Sequence, residues 1–190
     1  MSVSLEEYIQ KGLESRKSID LGIIREISEL LLSRFRKGGK LITFGNGGSA
    51  ADAQHFVGEL DGHFTMERKA LPAIAISTNT SSLTAIGNDY QYDDIFSRPV
   101  EALANPMDVV VGISTSGNSR NVLKAMEAAK KKGAFTIGMT GSSGGKLKGS
   151  VDMLLNAASD FTPVIQETHI TMIHMICLEI DRLMENEAQK

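Results

Sequence analysis

Residues 41–60 read LITFGNGGSAADAQHFVGEL. A short apolar run beginning at Leu41 ends in the turn Gly45-Asn46-Gly47-Gly48-Ser49, and the pattern then becomes helical through His55 and Glu59. A strand that feeds a helix through a glycine-rich turn makes an anion-binding corner. The first N–H groups of the helix have no intrahelical partner, and the helix dipole favours negative charge at that end. His55 and Glu59 are four residues apart, so on a helix they share one face with about 6 Å between them. The segment therefore sets a phosphate cradle within a turn or two of a metal-ligating or acid/base pair.

The same strand-to-helix pattern recurs along the chain. Strands are expected at Lys40–Gly45, Leu71–Ser77, Asp108–Ser114, Ala134–Thr140 and Val151–Asn156, and helices starting near Gly48, Ser81, Asp93, Ser119, Gly144 and Pro163. Two further helices, Leu5 to about Ser15 and Leu21–Arg36, precede them, the second stopped by Gly38-Gly39. Runs such as VVVGI (Val109 to Ile113) are apolar throughout, as central parallel strands are. The expected fold is α/β: a three-layer α/β/α sandwich around a five-stranded parallel sheet. The strand ends turn polar at GNGGS, STNTSS (from Ser77), STSGNS (from Ser114) and TGSSGG (from Thr140). In such sheets ligands bind outside the carboxyl ends of the strands, so these turns describe a site for something polar.

Composition narrows the partner. The 190 residues suit one domain with a sizeable core. A net charge of −3 gives no nucleic-acid footprint, but local N–H groups bind a small anion without global positive charge. No apolar run approaches membrane-spanning length and MSVSLEEYIQKG carries no signal-peptide core, so a cytoplasmic location is expected. The one cysteine, Cys177, lies among Met175, Ile176 and Leu178 and reads as a buried, inert thiol.

Gly45, Gly47 and Ala50 fit the loose dinucleotide pattern G-x-G-x-x-A. The next strand, LPAIAIS, runs into Ser77-Thr78-Asn79 where a ribose-binding carboxylate would stand, and no Gly-Lys-Ser/Thr follows the turn. A sugar phosphate needs neither. Ser114-Thr115-Ser116-Gly117-Asn118-Ser119 supplies hydroxyls for a phosphate, and Ser119 is also a natural helix cap. The last helix carries Gln166, His169 and His174. Gln166 and His174 are eight residues apart, about 12 Å along a helix. They flank one point only if Gln166 sits at an unwound start or if different subunits contribute them. His55, Glu59, Gln166 and His174 are ligand types that a divalent ion such as zinc accepts.

Together GNGGSAADAQHFVGEL, GNDYQYDDIFSRPVEAL, GISTSGNSRNVLKAMEAAKKKG and IQETHITMIHMICLEI resemble the sugar isomerase (SIS) family over nearly the whole chain. The nearest likeness is to the branch acting on sedoheptulose 7-phosphate. The resemblance implies that Asn46, Gly47, Gly48, Ser114, Thr115, Ser116 and Ser119 bind the sugar phosphate and that Asn88, Asp89 and Gln166 line the sugar. It implies one zinc per subunit on His55, Glu59, Gln166 and His174, with Glu59 and His174 also moving protons. The implied reaction converts D-sedoheptulose 7-phosphate to D-glycero-D-manno-heptose 7-phosphate through an enediol(ate). That is a first step toward activated heptose for lipopolysaccharide or another surface glycan. The implied assembly is a homotetramer with sites between subunits, residues 1–37 serving oligomerisation. The competing reading is a non-catalytic SIS module that binds a phosphosugar or a regulatory protein. Glu59 and His174 favour the enzyme, because some binding-only relatives lose one or the other. An isomerase for another phosphosugar shares every residue named. The likeness lapses at Asp61-Gly62-His63, where several isomerases have a Gly-Arg pair.

Overall fold

The computed structural model describes residues 3–188. Two helices open the chain, α1 (Leu5–Lys17) and α2 (Leu21–Arg36). Ser4 and Glu7 cap α1 reciprocally, and Asp20 caps α2 by accepting from the Gly22 and Ile23 amides. There follow β1 (Leu41–Gly45), α3 (Gly48–Asp61), β2 (Ala73–Ala75), α4 (Thr80–Asp89), α5 (Ser97–Leu103), β3 (Val109–Ile113), α6 (Arg120–Lys131), β4 (Phe135–Thr140), β5 (Met153–Asn156) and the long α7 (Thr162–Ala188). The five strands form one all-parallel sheet in the order β2-β1-β3-β4-β5.

Alternation along the strands divides the interior in two. Leu41, Val109, Val111, Ile113, Ile137 and Met139 pack under α2, α3 and α7. Ile42, Phe44 and Val110 point the other way, against α5 and α6. Each such side chain, taken out of water, contributes about 1.5–3 kcal/mol. Helices cover both faces of the sheet, and the expected three-layer sandwich is what forms.

Three sequence expectations fail locally, each for a backbone reason. No helix starts at Asp93: Tyr92–Asp94 is a single 3₁₀ turn, and α5 begins only at Ser97. Pro99 lacks an N–H and is tolerated only in a first helical turn, so the helix must start just before it. The helix expected at Gly144 is one 3₁₀ turn, Gly145–Leu147. Gly144, Gly145 and Gly149 have φ of 73°, 52° and 85°, outside the right-handed helical region, and the turn serves to bury Leu147. The expected strand Leu71–Ser77 shrinks to Ala73–Ala75 at the sheet edge, where Pro72 has no amide to donate.

Candidate active site

Because all strands are parallel, the polar turns emerge along one edge of the sheet. After β1, Gly47 takes φ 56° and starts α3 without a side-chain cap. Asn46 and Asn121 form a reciprocal amide pair, each Nδ2 donating to the other's Oδ1 at 2.9 Å, and the Tyr92 hydroxyl donates to Asn46 Oδ1 at 3.1 Å. The first turn is thereby tied to the start of α6. After β3, the Ser114 and Ser119 hydroxyls lie 2.9 Å apart. Ser119 does occupy the cap position of α6, but its side chain makes no capping bond and faces Ser114 instead. Gly117, with φ 65°, presses against the Gly144 carbonyl, where a Cβ would collide, and Asn118 Oδ1 accepts from the Lys146 amide at 3.1 Å. Thr115, Ser116 and Asn118 then line a hydroxyl-rich pocket with Ser142, Ser159 and Thr162.

Two turns into α3 the chemistry changes. His55 Nε2 is 2.8 Å from Glu59 Oε1 and 3.0 Å from His174 Nε2 of α7. The three ligand atoms all lie within 4.8 Å of one another. Tetrahedral ligands about 2.0–2.1 Å from a zinc ion sit about 3.3 Å apart, so two imidazoles and a carboxylate at these spacings fit a divalent metal. The Phe64 ring stacks on His174, with centroids 5.5 Å apart and planes at 30°. His174 is half-buried and far from solitary.

Gln166 is not at an unwound start. It lies inside α7, which runs regularly through His174, and its amide fills the space a Cβ at Gly48 would need. It lines an open cleft with Asp52, His55 and Glu167. Asn46 and Gly47 border a different cleft, with Ser77, Thr84 and Tyr92. Asn88 and Asp89 sit exposed at the end of α4, Asn88 Nδ2 donating to Asp89 Oδ1 at 2.8 Å. Within one chain Asn46, Gly47, Gly48, His55, Gln166, Thr115 and Ser116 thus divide among three adjoining clefts, and Asn88 and Asp89 line none of them. The N-terminus of α3 separates the Asn46 cleft from the His55 cleft, and the first turns of α7 separate the His55 cleft from the hydroxyl pocket.

The remaining titratable groups sort cleanly. His169 is fully buried, its Nε2 2.9 Å from the Thr140 carbonyl, and burial pulls its pKa down to about 4. It is a neutral core residue. Burial lifts the Cys177 thiol to about 12, so the inert reading holds. Asp52, one turn before His55, is pushed up to about 6 by burial, against the pull of His55. Sequence reasoning placed none of Tyr92, Phe64 and Asn121 in the site. Asn121, two residues into the helix after STSGNS, was the detectable one, since a buried Asn at a helix start needs a partner. Phe64 carried no signal in an irregular loop.

The SIS domain family matches residues 7–141. A probable phosphoheptose isomerase of Thermoplasma acidophilum is 59% identical over 93% of this chain and 97% of its own length. The phosphoheptose isomerase of Helicobacter pylori is 51% identical, covering 93% and 90%. Among solved structures, phosphoheptose isomerase from Neisseria gonorrhoeae superposes with a TM-score of 0.85 at 44% identity, covering 93% of this chain and 94% of that one. With its five-stranded parallel sheet and these relatives, the chain belongs to the SIS domain family and, within it, to the phosphoheptose isomerases.

Proposed function

We propose that this chain interconverts D-sedoheptulose 7-phosphate and D-glycero-D-manno-heptose 7-phosphate, with His55, Glu59 and His174 as the reacting centre. The observation that carries the reading is their convergence from α3 and α7 beside the hydroxyl-rich strand ends. In the ketose-to-aldose direction a proton leaves C1, the enediol(ate) forms, and a proton returns to C2 while O1 loses a proton and O2 gains one. Glu59 is the group for the carbon-bound proton and His174 the group for the oxygens, a carboxylate and an imidazole suited to those tasks. His55, Glu59 and His174, joined by Gln166, would hold zinc, which when bound polarises the carbonyl and stabilises the enediolate charge. The turn residues Asn46, Gly47, Gly48, Ser114, Thr115, Ser116 and Ser119 bind the phosphosugar in this reading. Their hydroxyls and backbone amides suit an anion without a cationic side chain. Asn88 and Asp89 close on the sugar.

The separate clefts and an apolar stripe on α1 support assembly. Leu5, Ile9 and Leu13 recur at helical spacing and are 78%, 61% and 41% exposed. In a homotetramer that stripe is covered and a neighbour completes each site. Among the described residues no helix is long and apolar enough to cross a membrane, and the reading places the enzyme in the cytoplasm, feeding heptose to a surface glycan.

Turnover of sedoheptulose 7-phosphate, measured before chelation, after it and after zinc is restored, tests the proposal. Loss and recovery of the aldose product is the expected result. Tight binding of the sugar phosphate without any product would make the chain a sensor instead. A fully active monomer in light scattering would overturn the shared-site assembly.

A further inference from the structure

Between α3 and β2 the loop that follows Gly62 carries a buried ion pair. Arg68 Nε is 2.7 Å from Asp181 Oδ1, and the two side chains are only 2% and 3% exposed. Oppositely charged groups removed from water are no more stabilising than apolar residues of like volume, so stability alone gives no reason for the pair. Asp181 is fully engaged: its Oδ2 accepts from the Thr65 amide and hydroxyl, both at 2.9 Å, and from the Met66 amide at 3.3 Å. Burial pushes its carboxyl upward, but the bonds from Arg68 and Thr65 outweigh that and hold it below the usual range.

What the pair touches gives the reason. Arg68 donates to the backbone carbonyls of Glu59 at 2.7 Å and Leu60 at 2.9 Å. These are last-turn carbonyls of α3, whose own last turn carries no basic residue. Asp181 lies seven residues beyond His174, two turns along the same face of α7. Thr65, bound by Asp181, is the immediate neighbour of Phe64, whose ring stacks on His174. One guanidinium therefore grips the end of the helix bearing His55 and Glu59. Its carboxylate partner grips both the helix bearing His174 and the loop pressing Phe64 onto it.

We infer that Arg68 and Asp181 are positioning residues: they clamp α3 to α7 and seat Phe64 on His174 so that the His55, Glu59 and His174 donors meet. The inference rests on the reading of those three residues as the reacting, metal-holding centre. It extends that reading to residues that touch neither metal nor sugar.

The test compares Asp181→Asn, Arg68→Lys and Phe64→Leu with a double variant, Arg68→Met with Asp181→Leu, in the full chain. Three quantities are read: zinc affinity by chelator competition, the metal-free thermal midpoint, and kcat against KM for sedoheptulose 7-phosphate. Each single variant is expected to weaken zinc about 10–100-fold. Its kcat should fall with KM almost unmoved, because phosphate contacts on the other turns remain. The double variant removes both charges, so its thermal midpoint should recover while its zinc affinity and kcat stay low. A double variant that is stable, with wild-type zinc affinity and kcat, overturns the inference, since the pair would then be structural only. A wild-type chain that turns over substrate yet binds no zinc would sink the metal assignment alone, and the clamp then stands or falls on the kcat of the double variant.

Discussion

The two faces of the sheet use different chemistry. On the face covered by α3 and α7 lie His55, Glu59 and His174, together with the ion pair of Arg68 and Asp181. On the face covered by α5 and α6 the neutral pair Asn46 and Asn121 ties the turn after β1 to α6, with the Lys124–Asp94 ion pair one turn further along α6. The hydroxyl turn of Ser114 to Ser119 follows at the start of α6. The difference teaches how such a site divides its labour. In the proposed reaction a phosphate keeps its charge throughout, so fixed dipoles and hydroxyls would serve it and need never titrate. The carbon skeleton would exchange protons, and groups that can change charge suit that side.

The strongest way to break the contrast is on the titratable side. Glu59→Gln keeps the shape and removes the proposed base, and kcat is expected to fall by about 10²–10⁴ while sugar-phosphate binding by calorimetry persists. Near-normal turnover would remove Glu59 from the chemistry. On the neutral side, Gly117→Ala forces a side chain into the left-handed region and against the Gly144 carbonyl. Strain and overpacking together should cost about 2–5 kcal/mol in chemical denaturation, with KM rising more than kcat falls.

His169 sharpens the comparison, because it is a titratable group on the α7 side that the chemistry does not use. Its folded pKa, about 4, lies below the ordinary 6.5. The unfolded chain therefore binds more protons between those values, and stability is lost as pH falls from 6.5 to 4. Replacing it by Gln, which still donates to the Thr140 carbonyl, should reduce that acid loss by about 3 kcal/mol. Unfolding curves at pH 7 and pH 4 read the difference, and an unchanged acid loss would dismiss His169 as its source. The smallest effect is expected at Asn121→Ala, which strips Asn46 of its amide partner and leaves it only the Tyr92 hydroxyl. A stability loss of about 1–3 kcal/mol with a modest rise in KM and unaltered zinc affinity would keep the two faces energetically separate.

Much of this was legible in the chain. The apolar runs of β1, β3 and β4 and the polar turns after them fixed the sheet and the edge bearing the site, since a strand buried on both sides admits few polar residues. Spacing alone paired His55 with Glu59. It did not reach His174, because contact between α3 and α7 depends on the sheet that lies between them in sequence. The helices expected at Asp93 and Gly144 went wrong where Pro99 and three glycines with positive φ dictate the backbone. Nothing in the run ERKALP sets Arg68 apart from a surface arginine, and only its burial against α7 distinguishes it. Asp181 left a fainter trace: an acid two turns from His174 on an otherwise apolar helix face.

Gly48 illustrates how a short pattern can select a residue for a reason it does not contain. In the dinucleotide fingerprint its neighbourhood signals a backbone that must come close to a pyrophosphate. Here the missing side chain makes room for the amide of Gln166. Since that amide is the free end of a flexible side chain, a methyl group at this position would be absorbed by Gln166 swinging aside. Evolutionary drift at Gly48 would thus leave the fold standing and disarrange the site, a failure that stability screens would pass and only function would notice.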